Sequence, residues 1–477
     1  MSESLKHKTL KGTIWSSIER FSVQGIAFVV MIIMARILTP EDYGLVGMLT
    51  VFIAISQSLV DSGFSQALIR KQDRSEIDNS TVFYFNIAVG IALYLILFFC
   101  APLIAKFYDE PILVPLTRII SLSIIINSFV VVQRALFIVE IDFKTQAKAS
   151  VLAAIASGTV GITMAYTGWG VWAIVWYQIV NLLVNVSLLW FFSTWRPRWL
   201  YSWNSFRELF TFGSKLALSA LLETLYSNIY LLVIGKLFKS SDLGYYTRAQ
   251  QFASFPSSNL TGIFQRVTYP VFCTIQNDDD RLREVYRRFL RLSAFAVFPL
   301  MTGLAAVAHP LILIFLKEQW IFAATLLSIL CFSMMWYPIH AINLNLLVVK
   351  GRSDLFLRLE VIKKLIGIGV LCATIPFGLI PMTIGSIVIS ILCLVVNTHY
   401  TGQLIQMGFL QQMRDLFPSL LYSLSMGAIV WFATTIFTAP TLQLAVGCLT
   451  GVTYYLLVAT VTRSADLREL ISFIKNK

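Results

Sequence analysis

Several ionisable side chains sit inside long apolar stretches of this chain. Glu19 and Arg20 lie about two turns into the first stretch, with Gln24 one helical turn above Arg20. Asp61 follows Gln57 by one turn in the second. Glu223 lies near the middle of the seventh, with Tyr226, Ser227 and Tyr230 on the same side. The eighth carries Arg248, Gln251, Ser258, Gln265 and Arg266 close to one stripe. Such a carboxylate can titrate or ligate a cation, and such a guanidinium can neutralise an anion. A charge at mid-bilayer costs roughly 2.5–3.5 kcal/mol on insertion scales, so these groups are expected to face a polar cavity or a partner. Arg20, Gln24, Gln57, Arg248 and Arg266 are candidate substrate-binding residues, and Asp61 and Glu223 candidate ion-coupling residues. No catalytic or metal-binding set is read.

The elements that must carry these residues are membrane helices. Hydrophobic residues make up 57% of the 477 and charged residues 13%, against about 25% charged in soluble domains. Apolar stretches of helix-crossing length recur from residue 13 to residue 461. Fourteen are read, at 13–37, 44–66, 79–101, 114–137, 147–167, 170–192, 211–237, 244–268, 289–308, 322–345, 358–376, 381–401, 417–436 and 441–461. Of the 37 Lys and Arg, 29 fall in or beside the loops of one side and seven on the other. The positive-inside rule then places both termini in the cytosol. The net charge of +12 is read as this topology signal, and nucleic-acid binding is excluded because no basic cluster sits in a foldable soluble domain. The six Cys lack disulfide or metal spacing and read as packing residues. Trp15, Trp169, Trp172, Trp195, Trp199, Trp203 and Trp320 are expected to form an interfacial belt.

A shift of 200 residues aligns Arg36–Gly44 with Lys236–Gly244 and matches a basic residue, an Asp and a Gly without gaps. Pro102–Phe107 pairs with Pro310–Phe315 at offset 208. In the first motif the basic residue snorkels, the Asp caps the next helix and the Gly permits a tight turn. The fold expected is all-α and integral to the membrane, with about 14 helices. Two six-helix lobes, 1–200 and 201–402, are related by a parallel repeat, and 403–477 adds two helices and a tail. Parallel halves are a transporter architecture.

Plainer readings stand beside these. Glu19 and Arg20 could pair with other helices and merely hold the bundle. Asp61 and Arg266 lie near the cytosolic interface, where water could solvate them. His340 reads as a hydrogen-bonded packing residue. Asn277–Asp280 could be taken for a metal site, but the following Arg281, Arg283, Arg287 and Arg288 point to the start of an amphipathic interfacial helix. The tail from Ala465 has Leu467, Leu470, Ile471 and Ile474 at helical spacing and is expected on the inner surface.

The chain resembles the polysaccharide-export flippases of the multidrug/oligosaccharidyl-lipid/polysaccharide exporter superfamily, O-antigen and colanic-acid type. The resemblance rests on Ala35–Gly44, Trp195-Arg196-Pro197, Phe212-Gly213-Ser214 and Lys350–Asp354, and runs over about residues 5–460. It implies alternating access and no enzyme activity. The implied cargo is an undecaprenyl-diphosphate-linked oligosaccharide, moved from the inner to the outer leaflet of the bacterial inner membrane. Membrane lipids, a polysaccharide polymerase and a chain-length regulator are the implied partners. No cofactor is implied beyond coupling to H+ or Na+. In similar lipid II flippases, arginines on spans 1, 2 and 8 line the cavity; Arg20 and Arg266 are the counterparts here, and span 2 offers Gln57 and Asp61 instead. A drug exporter of the same superfamily is the first rival reading, disfavoured by the extra spans and the arginines. A membrane polymerase is the second, disfavoured by the short outer loops.

Overall fold

The computed structural model describes residues 3–61, 63–464 and 466–469; the side chains of 3–14, 16–18, 61 and 212 lie outside that description. Every regular element among the described residues is helical. By contact the chain forms two compact units, Met1–Gly244 and Tyr245–Lys477. This packing boundary differs from the repeat boundary near residue 200, because the seventh apolar segment packs on helices of the first unit.

That unit contains α1 (Glu3–Ala35), α2 (Pro40–Asp61), α3 (Phe64–Arg70), α4 (Glu76–Tyr108), α5 (Leu113–Ile120), α6 (Leu122–Ser128), α7 (Val131–Val139), α8 (Phe143–Tyr166) and α9 (Val171–Phe192). It continues with α10 (Trp203–Ser227), α11 (Ile229–Leu237) and the start of α12 (Ser240–Thr274). The second unit adds α13 (Asp279–Ala306), α14 (Ala308–Leu316), α15 (Ile321–Met334), α16 (Tyr337–Val349) and α17 (Ser353–Thr374). It ends with α18 (Leu379–Ile405), α19 (Phe409–Thr435) and α20 (Pro440–Val461).

Nine helical stretches among the described residues are long and apolar enough to cross a membrane, or eleven if two bent pairs each count as one. The bent pairs are the fourth and seventh segments, broken by 41° near residue 130 and by 43° at Asn228. Three further helices, α1, α12 and α17, have 33, 35 and 22 residues. Much of α1 lies outside the described side chains, α12 is polar along its length, and α17 carries Arg358, Glu360, Lys363 and Lys364.

Local chemistry starts these helices where they start. Ser75 and Asp78 form a capping box on α4. Asp142, Ser202 and Asp278 cap α8, α10 and α13 by accepting from backbone N–H groups of Thr145, Ser205 and Arg281. At α2, Thr39 and Asp42 exchange the same bonds at 2.8–3.2 Å. Thr39 is therefore the N-cap, and Asp42, at the third helical position, completes the box by accepting from the Thr39 backbone N–H. Gly44 does not make the turn: it lies inside α2 without positive φ, and its missing Cβ serves a helix contact instead.

Within the first unit, α8 packs along both α1 and α9 through small residues. A Cβ on Gly158 would fall 2.6 Å from Val30, and one on Gly161 would fall 3.0 Å from Tyr177. Ala153, Ala154 and Ala165 continue that face, all buried. The N-cap of α3 meets α10 as closely: a Cβ on Gly63 would sit 2.4 Å from the Gly213 carbonyl oxygen.

In the second unit α13 is one continuous helix, so the expected interfacial helix and the ninth span are joined. Its basic stretch is held by partners. Arg287 makes two bonds to Asp415, at 2.7 and 2.6 Å. Arg283 donates to the Ile405 carbonyl, Arg288 pairs with Glu469, and Arg291 lies 3.5 Å from Asp466. Of the tail, 466–469 is helical and Leu467 packs on the α13–α20 cluster around Phe295 and Tyr455; Leu470, Ile471 and Ile474 lie outside the described residues. The acidic run has structural partners: Asp278 caps α13, Asp279 pairs with Lys350 and Asp280 with Arg283.

The tryptophans do not all form a belt. Trp169, Trp199 and Trp203 are exposed, but Trp195 and Trp320 are core residues. Trp195 donates to Glu76 at 3.0 Å and packs on Phe83, while Trp320 is edge-on to Tyr245. A buried indole N–H needs such an acceptor.

Candidate functional site

The α1–α8–α9 interface changes character along its length. Where Gly158 and Gly161 let the backbones approach, it is small and apolar. Toward the N-terminal end of α8 it becomes polar and opens into a cavity of about 320 Å³. Glu19, Arg134, Gln146, Ser150, Asn181 and Asn185 supply its polar lining, and Val23, Leu182 and Leu189 its apolar lining. A second cavity of about 310 Å³ shares Glu19, Val23 and Ser150 and adds Arg20 and Gln24.

Hydrogen bonds run through the first cavity in one direction. Arg134 Nη2 donates to Asn185 Oδ1 at 3.4 Å, and Asn185 Nδ2 donates to Ser150 Oγ at 3.4 Å. Ser150 Oγ then donates to Glu19 Oε1 at 2.7 Å. A guanidinium is thus linked to a carboxylate through one amide and one hydroxyl, each donating toward the anion. Arg134 also donates to Asn127 Oδ1 at 3.0 Å, and Asn181 donates to Ser157 at 3.0 Å. Such a chain polarises its members and offsets the cost of two charges among apolar helices. Gln146 Nε2 and Gln24 Oε1 are buried and have no hydrogen-bond partner among the described residues.

The structure brings some sequence-selected residues together and leaves others apart. Arg20 and Gln24 border the second cavity, with Arg20 exposed and Gln24 half-buried. Gln57 is half-buried on α2 and borders neither of these cavities. Glu223 is exposed on α10, and its carboxylate accepts from Ser227 at 3.3 Å. The Asp61 side chain lies outside the described residues. In the second unit, Arg248 is half-buried and Arg266 exposed on α12. His340 is half-buried among polar groups: Asn397 Nδ2 lies 3.0 Å from its Nδ1, and Ser390 Oγ 3.1 Å from its Nε2. Both ring nitrogens thus have polar neighbours, as expected for a hydrogen-bonded packing residue.

Sequence reasoning missed Arg134, Gln146, Ser150, Asn181 and Asn185. Arg134 and the start of the fifth span were read as loop-side positions. The available signal was Asn181 and Asn185, four apart inside the apolar run 171–192, which places two amides on one helix face.

An apolar groove of about 480 Å³ lies in the second unit between α13, α14, α19 and α20, lined by Pro299, Leu304, Val430, Gly447, Gly451 and Leu456 among others.

Comparison with known proteins was made on this footing. The family described as polysaccharide biosynthesis protein matches residues 33–325. The chain is 26% identical over 396 residues to the lipopolysaccharide biosynthesis protein WzxC of Escherichia coli K12, covering 82% of this chain and 80% of that protein. It is 26% identical over 358 residues to the teichuronic acid biosynthesis protein TuaB of Bacillus subtilis, covering 74% and 73%. It is 26% identical over 334 residues to the succinoglycan biosynthesis transport protein ExoT of Rhizobium meliloti, covering 70% and 68%. In fold it is similar to the lipid II flippase MurJ in an inward closed conformation. There the TM-score is 0.80 at 15% identity, covering 96% of this chain and 100% of that one. It is also similar to an inward-facing multidrug MATE transporter, with TM-score 0.62 at 14% identity, covering 82% and 99%.

Proposed function

The chain belongs to the polysaccharide biosynthesis protein family, and from that membership we propose that it is a lipid-linked oligosaccharide flippase. It moves an undecaprenyl-diphosphate-linked glycan from the inner to the outer leaflet by alternating access, coupled to an ion gradient, without enzyme activity. The observation that carries this reading is the family match over residues 33–325. The three relatives are named for three different polysaccharides. The names do not share one sugar, and a lipid carrier common to several glycans is the element this reading proposes for the present chain.

Each part of such a substrate has a fitting counterpart. A diphosphate in a low-dielectric setting needs a cation, which Arg20 on α1 can supply. A polyprenyl tail needs an apolar channel, and the groove beside α19 and α20 has that lining. The 29-to-7 basic split supports an inner-membrane protein with both termini in the cytosol. A polymerase and a chain-length regulator would act on the product outside.

The test is made in spheroplasts of the host. With the gene deleted, lipid-linked glycan should accumulate and stay inaccessible to a membrane-impermeant glycosidase; restoring the chain should make it cleavable. Cleavable glycan in the deletion strain would refute the reading.

A further inference from the structure

We propose that the polar cavity among α1, α7, α8 and α9 is a subsite for an uncharged sugar of the transported glycan. The inference rests on the flippase reading and assigns part of its substrate to one place.

The balance of groups identifies the ligand class. The cavity carries one carboxylate, Glu19, and one guanidinium, Arg134, so its formal charges cancel. A bare cation would be better held by a surplus of anionic oxygens and no guanidinium. A diphosphate would be better held by a surplus of cations and no carboxylate. The remaining polar groups, Gln146, Ser150, Asn181 and Asn185, offer donors and acceptors side by side. A sugar hydroxyl both donates and accepts, so a polyol matches such a wall. Val23, Leu182 and Leu189 give the apolar patch that the C–H face of a sugar ring can cover. At about 320 Å³ the cavity falls within the ~300–1,000 Å³ range of small-molecule sites.

Two further observations point to an occupant. On the wall of the first cavity, Gln146 Nε2 is buried without a partner among the described residues, and burial in that condition is unfavourable unless a ligand or water satisfies it. The neighbouring cavity shares Glu19, Val23 and Ser150 and is bordered by Arg20. A sugar in the first cavity thus lies next to the cation proposed for the phosphate, the order in which sugar and diphosphate are joined in the substrate.

Gln146→Leu separates this role from a structural one. The Nε2 of Gln146 is unpaired, so its loss removes no hydrogen bond from that atom and should not lower the melting temperature. Purified protein is loaded with either of two lipids and read by native mass spectrometry: the undecaprenyl-diphosphate-linked glycan extracted from the host, or undecaprenyl diphosphate without sugar. Gln146→Leu should lose about tenfold in affinity for the glycan-bearing lipid and stay within about twofold for the bare one. Asn181→Leu should behave likewise if it reaches the membrane. Unchanged glycan-lipid binding in Gln146→Leu, or equal loss of both lipids, would overturn the subsite. Wild-type protein that holds both lipids equally would overturn it too, while leaving the flippase reading intact. Wild-type protein that holds neither lipid would overturn both.

Discussion

Gly44 faces Ser240 so closely that a Cβ on the glycine would fall 1.7 Å from the serine carbonyl oxygen. Gly244 stands to Pro40 in the same way, at 1.8 Å. The offset of 200 that aligns Gly44 with Gly244 also aligns Pro40 with Ser240. Each contact is therefore the other with its partners exchanged, as in an isologous contact between two like surfaces. Two helix starts, of α2 and α12, touch backbone to backbone, and only glycine permits that distance.

Gly44→Ala and Gly244→Ala should each force these helix starts apart. Real Cβ atoms do not approach backbone oxygens at 1.7–1.8 Å, and overpacking of this kind costs roughly 1–3 kcal/mol. Thermal unfolding of the purified variants should show the loss. Gly25→Ala is the control: nothing lies within 4 Å of a Cβ there, and alanine favours helix by up to about 1 kcal/mol. Equal melting temperatures for all three variants would dismiss the close contact.

A second prediction concerns the α3–α4 junction. Lys71 bonds Asp78 at 3.2 Å and Glu208 of α10 at 3.0 Å. Burial alone would raise the Asp78 pKa, but hydrogen bonds from Ser75, Ser205 and Lys71 hold it below 3.8. Burial alone would lower that of Lys71, but its bonds to Glu208 and Asp78 hold it above 10.5. A depressed carboxylate contributes stability above its unfolded value, lost as pH falls through the folded one. A raised amine contributes below its unfolded value, lost as pH rises through the folded one. The clamp should therefore be complete between pH 3.8 and 10.5 and fail outside that window. Glu208, being exposed, should matter little: Glu208→Gln should cost about 0–1 kcal/mol. Asp78→Ala should cost about 1–3 kcal/mol, because it removes the capping box and leaves Lys71 half-paired. Melting curves across pH check both the order and the window.

The membrane class was legible because hydropathy and charge asymmetry are properties of composition and order alone. The helix starts at Asp42 and Asp278 were legible too, since each acts within three residues of its partner. The breaks at Asn228 and near Val130 were not, because an apolar run reads the same whether straight or bent. Gly44 was misread as a turn glycine: its reason lies 196 positions away, at Ser240. Trp195 was read as interfacial because sequence cannot show that Glu76 accepts its N–H. At the cavity, Arg20 and Gln24 stood out as polar residues in an apolar span. Arg134 did not, since the same residue type near a span end also serves topology.

The hydrogen-bond chain from Arg134 to Glu19 should act as a unit. Ser150→Ala removes the hydroxyl that Glu19 accepts from and that Asn185 donates to. Residues within one network show interaction energies of about 0.5–3 kcal/mol in double-mutant cycles. Glu19→Gln, Ser150→Ala and their combination should give a coupling in that range. Glu19→Gln with Ser423→Ala, a serine bonded within α19, should be additive.

The basic split makes a prediction about topology. A single Cys at Glu41, in a background without other cysteines, should react in intact cells with an impermeant thiol reagent. One at Asp279 should not. Both native side chains are exposed, so reactivity reports sidedness and not burial. The reverse pattern would invert the orientation.

Arg20 and Glu223 carry the mechanistic prediction. Arg20 is exposed on α1 at a cavity wall, and Glu223 is exposed on α10 with its carboxylate bonded by Ser227. Neither side chain is packed in the core, so Arg20→Ala and Glu223→Gln should reach the membrane at wild-type levels. Arg20→Ala should weaken transport of lipid-linked glycan in proteoliposomes, because the diphosphate loses a charge-assisted partner of about 1.5–3 kcal/mol. That corresponds to a loss of roughly ten- to hundredfold at limiting substrate. Glu223→Gln keeps size and hydrogen bonding but removes the titratable charge. It should therefore leave downhill transport in place and blunt the acceleration by an imposed proton or sodium gradient. If these residues instead hold the bundle, their substitution should lower protein abundance, since breaking a buried pair costs roughly 3–5 kcal/mol. Transport and membrane protein level are measured together for each variant: normal transport in both removes the two residues from the mechanism, and parallel loss of transport and protein assigns them to the bundle.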